Sequence, residues 1–320
     1  MALSEFEIIR RYFTHPARNT VLGVGDDAAI VRARRGMELV ITTDMLVAGR
    51  HFSPGADPRK LGHKSLAVNL SDIAAMGATP RWATLALSLP RADARWLAAF
   101  SRGFMDLARR HDVDLVGGDT TRGPLNICVQ VIGEVPRGRA LRRDGARAGD
   151  DVWVSGVLGD AALALAWRRA GLSPRERRAL QLKLDAPAPR VGLGVALRGI
   201  ARSAIDVSDG LVADLGHICE RSRVAAVVEL ARIPASAAMT RRLDRPAARA
   251  ALLAGGDDYE LVFTSARAQR AAIGRVARRV RLKLTRIGRI TRRRAGAPLV
   301  TVRNAAGRPV AAGQGGYRHF

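Results

Sequence analysis

Six short clusters along this chain set aspartate beside glycine, serine or threonine: Gly25-Asp26-Asp27, Thr42-Thr43-Asp44, Ser71-Asp72, Gly117-Gly118-Asp119, Asp206-Val207-Ser208-Asp209-Gly210 and Gly255-Gly256-Asp257-Asp258. A single Gly-Asp is usually a turn and a single Ser-Asp a cap, because short polar side chains bond the local backbone. Six of them, each at the edge of an apolar segment, point to loops gathered at strand ends, where carboxylates share hard cations. Carboxylate and hydroxyl oxygens suit Mg²⁺, which takes few protein ligands and keeps positions for substrate phosphates. Metal-assisted phosphoryl transfer is the chemistry this pattern serves best.

The familiar phosphate-handling motifs are absent. No G-x-x-x-x-G-K-[ST], H-R-D or D-F-G occurs, which excludes P-loop NTPases and protein kinases. Residues 23–28 match a dinucleotide G-x-G-x-x-A only superficially, because Asp26 and Asp27 would repel a pyrophosphate and the flanking segment reads as strand. The formal charge of +24 invites a nucleic-acid reading. Against it, only four of the 53 basic residues are lysines, the arginines are scattered in an alanine-rich background, and aromatic content is 4%, too little for base-stacking platforms. The expectation is therefore no specific nucleic-acid partner. No apolar run approaches the roughly 20 residues of a membrane helix, and the first residues carry Glu5 and Glu7, so no membrane association and a cytoplasmic location are expected. Cys128 and Cys219 lie too far apart for a metal knuckle and read as small core residues.

The elements that must position the clusters alternate between strand and helix. Strands are expected over 28–33 and 39–43, joined by a turn at 34–36, with Asp44 where the second run is interrupted. A helix over 60–76 sets Ser65, Asn69 and Asp72 on one face, with Gly77 and Pro80 as its stop. Strands follow at 83–89, 114–116 and 125–135, with a helix over 93–111. An arginine-, alanine- and glycine-rich stretch at 139–149 marks a boundary. Beyond it come strands at 152–155, 203–207, 225–229, 259–264, 285–290 and 299–302, and helices at 160–170, from 174, from about 208 to 222, and 268–280. Two α/β domains, 1–145 and 146–320, fit ordinary domain sizes.

The order and wording of the clusters carry a resemblance. V-G-D-D-A-A (24–29), T-T-D-M-L-V-A-G-R-H-F (42–52), L-A-V-N-L-S-D-I-A-A-M-G-A-T-P (66–80), G-G-D-T-T-R-G-P (117–124), I-D-V-S-D-G-L (205–211), G-G-D-D-Y-E-L (255–261) and the closing G-Y-R-H-F (316–320) resemble the thiamine-monophosphate kinase family. That family belongs to the aminoimidazole-ribonucleotide-synthetase-like ATP enzymes. The resemblance runs through essentially the whole chain. It implies a two-domain PurM-like α/β fold whose N-terminal mixed sheet pairs in a homodimer and binds Mg-ATP, with a C-terminal α/β domain completing the metal and substrate site. It also implies ATP-dependent phosphorylation of thiamine monophosphate to thiamine diphosphate with several Mg²⁺ ions. The weighed alternatives are another enzyme of that superfamily, such as aminoimidazole ribonucleotide synthetase, and a non-enzymatic basic binding protein.

Carried over motif by motif, the resemblance implies Asp27, Thr42, Thr43, Asp44, Asp72, Asp119 and Asp206 as magnesium ligands, with Asp209 on a further ion. Gly118, Asp119, Arg143 and Ser208 match nucleotide-contacting positions, and His51, Asp257 and Tyr317 acceptor-contacting ones. Alternation sends the Thr42 and Thr43 side chains to opposite faces, so both serve only if one uses its backbone carbonyl. Arg143 is open to a second reading as one more boundary arginine. Asp257 stands where the family's usual motif has glutamate, one methylene longer. No residue looks like a covalent phosphate carrier. The acceptor is itself a phosphate monoester, a competent nucleophile, so direct in-line transfer without a general base is expected.

Overall fold

The computed structural model describes residues 4–166 and 171–311. The chain divides into two compact units, one formed by residues 1–73 and 78–138, the other by 74–77 and 139–320.

The first unit opens with helix α1 (Glu5–Ile8), which runs into a π-helical turn over Ile9–Phe13. Strands β1 (Thr20–Leu22) and β2 (Ile30–Val31) form a small antiparallel pair. The strand expected over 28–33 thus shrinks to two residues. Four long strands make the main sheet in the order β3-β6-β4-β5: β3 (Met37–Val47), β4 (Thr79–Leu89), β5 (Asp114–Arg122) and β6 (Asn126–Pro136). β3 and β6 pair antiparallel along their whole length, from Met37↔Pro136 to Val47↔Asn126. β4 pairs antiparallel with β6 and parallel with β5.

Two of these strands outrun the sequence expectation for physical reasons. Asp44 does not end β3; its N–H is bonded by the Asn69 side chain at 3.1 Å while the ladder continues to Val47. Gly117-Gly118-Asp119 reads as a loop but lies inside β5. Gly118 has φ +148°, and a Cβ there would lie 1.8 Å from the Leu85 carbonyl oxygen of the paired strand. The glycine answers a backbone approach within the sheet.

Helices α2 (Pro58–Ala75) and α3 (Ala94–Arg110) follow β3 and β4 respectively. Asp93 caps α3 by accepting from the Arg95 and Trp96 N–H groups. The two helices touch backbone to backbone, since a Cβ on Gly62 would lie 2.0 Å from the Phe100 carbonyl oxygen and one on Gly103 would lie 1.8 Å from that of Arg59. Neither glycine is a helix former, so tertiary packing overrides propensity at both. The sheet's inner face is buried through Leu85, Leu87, Ile127, Val129 and Val131. Its outer face is not: Leu39, Ile41 and Met45 of β3 are exposed. Cys128 faces the same way, opposite Met45, and is only half-buried. The expectation that both cysteines are core residues therefore holds for Cys219 alone, because the β6 alternation points Cys128 outward.

The second unit is built on a seven-stranded sheet of order β13-β12-β9-β11-β7-β10-β8. Its strands are β7 (Asp151–Ser155), β8 (Ser203–Asp206), β9 (Val224–Glu229), β10 (Leu261–Ser265), β11 (Leu284–Arg292), β12 (Val300–Arg303) and β13 (Pro309–Val310). All neighbours are antiparallel except β12 and β9. Helices α4 (Asp160–Leu165), α5 (Pro174–Asp185), α6 (Val191–Leu197), α7 (Leu211–Arg221), α8 (Ala237–Thr240), α9 (Pro246–Ala254) and α10 (Arg270–Val280) surround it. Val152, Val154, Ile205, Leu215, Val228, Val262 and Ile287 form the centre of its core. No described helix is long and apolar enough to cross a membrane.

Candidate active site

In the first unit, alternation along β3 sorts the Thr-Thr-Asp cluster. Thr42, Asp44 and buried Leu46 share the inner face, while Thr43 points outward beside Leu39 and Ile41 and accepts a hydrogen bond from Gln130 at 3.3 Å. The Thr42 hydroxyl donates to Asp72 Oδ2 at 2.5 Å. Asp72 projects from α2, one turn beyond Asn69, whose amide oxygen holds the Asp44 N–H. The predicted Ser65/Asn69/Asp72 face therefore exists, although Ser65 and Asn69 are fully buried. Ser65 donates to the Gly62 carbonyl, and the Asn69 amide nitrogen donates to that of Ser65. Burial pushes the Asp44 carboxyl up to about 7, and the neighbouring Asp72 adds to the rise. Two carboxylates on one half-buried face, with a threonine hydroxyl between strand and helix, form an all-oxygen donor set under electrostatic strain that a cation relieves.

A second feature of the same unit is a cavity of about 840 Å³. Asp26, Asp27, Gly117, Gly118 and Asp119 form its polar wall, and Phe13 and Val24 belong to its apolar one. Asp27 and Asp119 are exposed, and the Asp27 N–H donates to Asp26 Oδ1 at 3.0 Å. The volume matches a small-molecule site of nucleotide size. At the far end of β3, His51 sits in a tight turn in which Gly49 holds φ +80°. Its Nδ1 accepts from the Val47 N–H at 3.0 Å, which in the neutral ring leaves the proton on Nε2.

In the second unit, β8 ends at buried Asp206 and leads into Ser208-Asp209-Gly210 before α7. A signal missed in the sequence holds this loop: Asp214, on the first turn of α7, accepts from the N–H groups of Ser208, Asp209 and Gly210. Burial, with Asp209 next, pushes its carboxyl up to about 7 against the lowering effect of those bonds. An aspartate one turn after Ser-Asp-Gly was the available clue. The Gly255–Glu260 segment runs alongside. Asp257 donates its N–H to the Ser208 carbonyl at 2.9 Å, Tyr259 donates its own to Val207 at 2.9 Å, and the Tyr259 hydroxyl donates to Asp257 Oδ1 at 3.0 Å. Asp258 accepts from the Gly159 N–H at 2.7 Å, and its carboxyl is held well above the usual range by burial and by Glu260, Asp160 and Asp257. Glu260 pairs with Arg190 and accepts from Ser155. Arg143 is exposed, and its carbonyl accepts from the Ser222 hydroxyl at 2.7 Å. Tyr317 lies outside the described residues.

Among the described residues no three of histidine, cysteine, aspartate and glutamate stand close enough to enclose a metal ion. The acidic clusters come in pairs instead, of which Asp44 and Asp72 are the clearest. Mg²⁺ is the cation such a site fits, because it binds through one or two carboxylates and fills the remaining positions with water and substrate phosphate.

Models of the AIR synthase related protein family match this chain in two parts, the N-terminal domain over residues 25–135 and the C-terminal domain over 147–300. The thiamine-monophosphate kinase of Escherichia coli K12 is 44% identical over 326 aligned residues, spanning 100% of this chain and 99% of the relative. The solved thiamine-monophosphate kinase of Stenotrophomonas maltophilia K279a is 49% identical, with a TM-score of 0.84 over 94% of this chain and 97% of its own. A structure described as AaThiL complexed with AMPPCP and TMP is 31% identical, with a TM-score of 0.76 over 93% and 92%. Sequence identity over the full length, the two-domain PurM-like architecture and the oxygen-rich sites of both units agree, and the chain belongs to the thiamine-monophosphate kinase family.

Proposed function

We propose that this chain transfers the γ-phosphate of ATP to thiamine monophosphate, forming thiamine diphosphate and ADP in a Mg²⁺-dependent reaction. The observation that carries the reading is the Asp44–Asp72 pair, an oxygen donor set in which burial and the neighbouring Asp72 push the Asp44 carboxyl up, on the same unit as a nucleotide-sized cavity walled by Gly117, Gly118 and Asp119. Asp27, Thr42, Asp44, Asp72 and Asp119 are the first unit's magnesium ligands, with Thr43 contributing its main-chain carbonyl. Asp206 is a ligand in the second unit, with Asp209 on a further ion. When bound, Mg²⁺ offsets the negative charge of two phosphate-bearing substrates that would otherwise repel.

The protein's own groups bind and orient. Gly118, Asp119, Arg143 and Ser208 hold the nucleotide, for which the always-charged guanidinium of Arg143 is a suitable phosphate partner. His51, Asp257 and Tyr317 hold the acceptor: a ring Nε2–H suits a phosphate oxygen, and a carboxylate suits a cationic thiazolium or a pyrimidine amine. An acceptor phosphate oxygen attacks the γ-phosphorus as the bond to the β-phosphate oxygen breaks, and ADP leaves. No protein nucleophile or general base is required. The first unit is the Mg-ATP-binding domain, and the second supplies further metal and substrate contacts.

The exposed row Leu39, Ile41 and Met45, flanked on β6 by Cys128, Gln130 and Ile132, supports a homodimer through the outer face of the four-stranded sheet. The working compartment is the cytoplasm, where ATP and Mg²⁺ are supplied.

ADP release by purified protein with Mg²⁺ tests the reading against a panel of thiamine monophosphate, an aminoimidazole ribonucleotide precursor and no acceptor. Release that depends on thiamine monophosphate is expected. Release dependent on the aminoimidazole precursor, or equal release without any acceptor, would overturn it.

A further inference from the structure

Asp214 is 2% exposed, and a single oxygen of its carboxylate, Oδ2, accepts three consecutive backbone N–H groups: Ser208 at 3.1 Å, Asp209 at 3.1 Å and Gly210 at 3.0 Å. A helix cap normally works the other way, with an N-cap side chain accepting from the second or third helical N–H. Here the N-cap is Gly210, which has no side chain, and α7 begins only at Leu211. The N–H groups of Ser208 and Asp209 precede the helix and are not among the donors its first turn leaves unpaired. These bonds therefore shape the loop more than they stabilise the helix.

The other side of the loop is equally constrained. The Val207 and Ser208 carbonyls accept from Tyr259 and Asp257, and the Val207 N–H donates to the Glu260 carbonyl at 2.8 Å. A Cβ on Gly256 would lie 2.1 Å from the Ser208 carbonyl oxygen, and Gly210, at φ +124°, passes so close to Ala254 that its own Cβ would lie 2.6 Å from that residue's carbonyl carbon. A segment whose successive N–H groups converge on one buried carboxylate, and whose carbonyls are tied to a second strap, has one backbone conformation. The side chains of Ser208 and Asp209, both half-buried, inherit their direction from it.

We propose that Asp214 is a positioning residue for nucleotide binding, holding the Ser208–Gly210 backbone so that the Ser208 hydroxyl and the Asp209 carboxylate meet Mg-ATP, which Asp214 itself does not touch. The inference rests on the assignment of Ser208 and Asp209 to nucleotide and metal under the proposed function. Its consequence is weighted toward the nucleotide: loosening this loop frees the Ser208 and Asp209 side chains directly, whereas the acceptor keeps His51 on the first unit and is reached only through Asp257, whose N–H bonds the Ser208 carbonyl.

The test compares Asp214→Ala, Asp214→Asn, Ser208→Ala and Asp209→Asn in the full-length protein. Three quantities are measured: affinity for a non-hydrolysable ATP analogue with Mg²⁺ by titration calorimetry, KM for each substrate, and amide hydrogen exchange at residues 208–210. Asp214→Ala is expected to weaken analogue binding and raise KM for ATP about tenfold. KM for thiamine monophosphate should rise several-fold less than KM for ATP, and exchange should accelerate most at 208–210. Asp214→Asn keeps an acceptor oxygen and should restore analogue affinity to within about threefold of wild type. Unchanged analogue affinity in a folded Asp214→Ala, or equal loss for both substrates, overturns the inference. If Asp214→Ala does not fold, Asp214→Asn decides: wild-type exchange and affinity support the inference, whereas intact exchange protection with lost affinity contradicts it. Should Ser208→Ala and Asp209→Asn leave analogue affinity untouched, the underlying site assignment fails instead, independently of Asp214.

Discussion

The Thr42 hydroxyl and Asp72 Oδ2 are 2.5 Å apart, joining the middle of β3 to the last turn of α2, the helix that follows it. The contact orients a carboxylate whose neighbour, Asp44, is already pushed up to about 7 by burial and by Asp72. Thr42→Val removes the hydroxyl at nearly constant volume. It should lower turnover about tenfold and raise the Mg²⁺ concentration for half-maximal activity. Thr43→Val, on the opposite face, should change both by less than about twofold because its backbone carbonyl is retained. Equal losses in the two variants, measured by ADP release across a Mg²⁺ titration, would contradict the assignment.

Stability should respond to pH and metal together. Asp44 and Asp214 have folded-state values near 7 against an ordinary 3.8, so the native state binds protons that the unfolded chain has released. Their contribution is therefore fully present below about pH 4 and is lost as pH rises through 7. Glu134 and Asp151, lowered by bonds from Arg34 and Arg81 and from Arg270 and Arg286 against the effect of burial, contribute in the opposite sense and lose their contribution in acid. Tm measured with a chelator should fall between pH 5.5 and 8. Adding Mg²⁺ should flatten that slope, and Asp44→Asn should remove part of it. A Tm that rises over this interval without metal would show that these carboxyls are not protonated in the fold.

Much of this arrangement was legible in the sequence. The helix expected at 60–76 forms over Pro58–Ala75 because its stop signal, Gly77, is local. The opposite facing of Thr42 and Thr43 also follows from strand alternation alone. Features set by partners distant in sequence were not legible. Asp44 looks like a strand breaker until Asn69 is seen bonding its N–H, and Gly118 looks like a loop until Leu85 is found against it. The α2–α3 approach at Gly62 and Gly103 requires knowing which helices cross. For Asp214 the sequence offers only its place one turn after Ser-Asp-Gly, because a carboxylate on a helix does not itself reveal that it reaches back to three N–H groups.

Asp257 and Tyr259 both hold left-handed backbone, at φ +67° and +51°, which is costly for residues other than glycine and is sustained here by bonds to Ser208 and Val207. The Tyr259 hydroxyl aims the shorter Asp257 carboxylate. Tyr259→Phe should raise KM for thiamine monophosphate about three- to tenfold and leave KM for ATP within about twofold. Initial rates over a grid of both substrates check this, and a larger effect on ATP would reassign Asp257.

The outer face of the four-stranded sheet should mediate self-association. Ile41 is 59% exposed at the middle of an apolar row. Ile41→Arg should convert a dimer to monomer in light scattering at micromolar concentration, because a charge placed in a desolvated self-complementary interface is present twice. A wild-type protein that is monomeric under the same conditions would rule out this interface.

The central claim is that the Asp44–Asp72 pair supports phosphate transfer from ATP to thiamine monophosphate. The most direct measurement follows label from [γ-³²P]ATP into thiamine diphosphate for wild type, Asp44→Asn and Asp72→Asn at saturating Mg²⁺, with circular dichroism confirming that each variant is folded. Label should appear in thiamine diphosphate with wild type and fall about a hundredfold or more in both variants. Label retained in either folded variant at more than about a tenth of the wild-type rate would contradict the account.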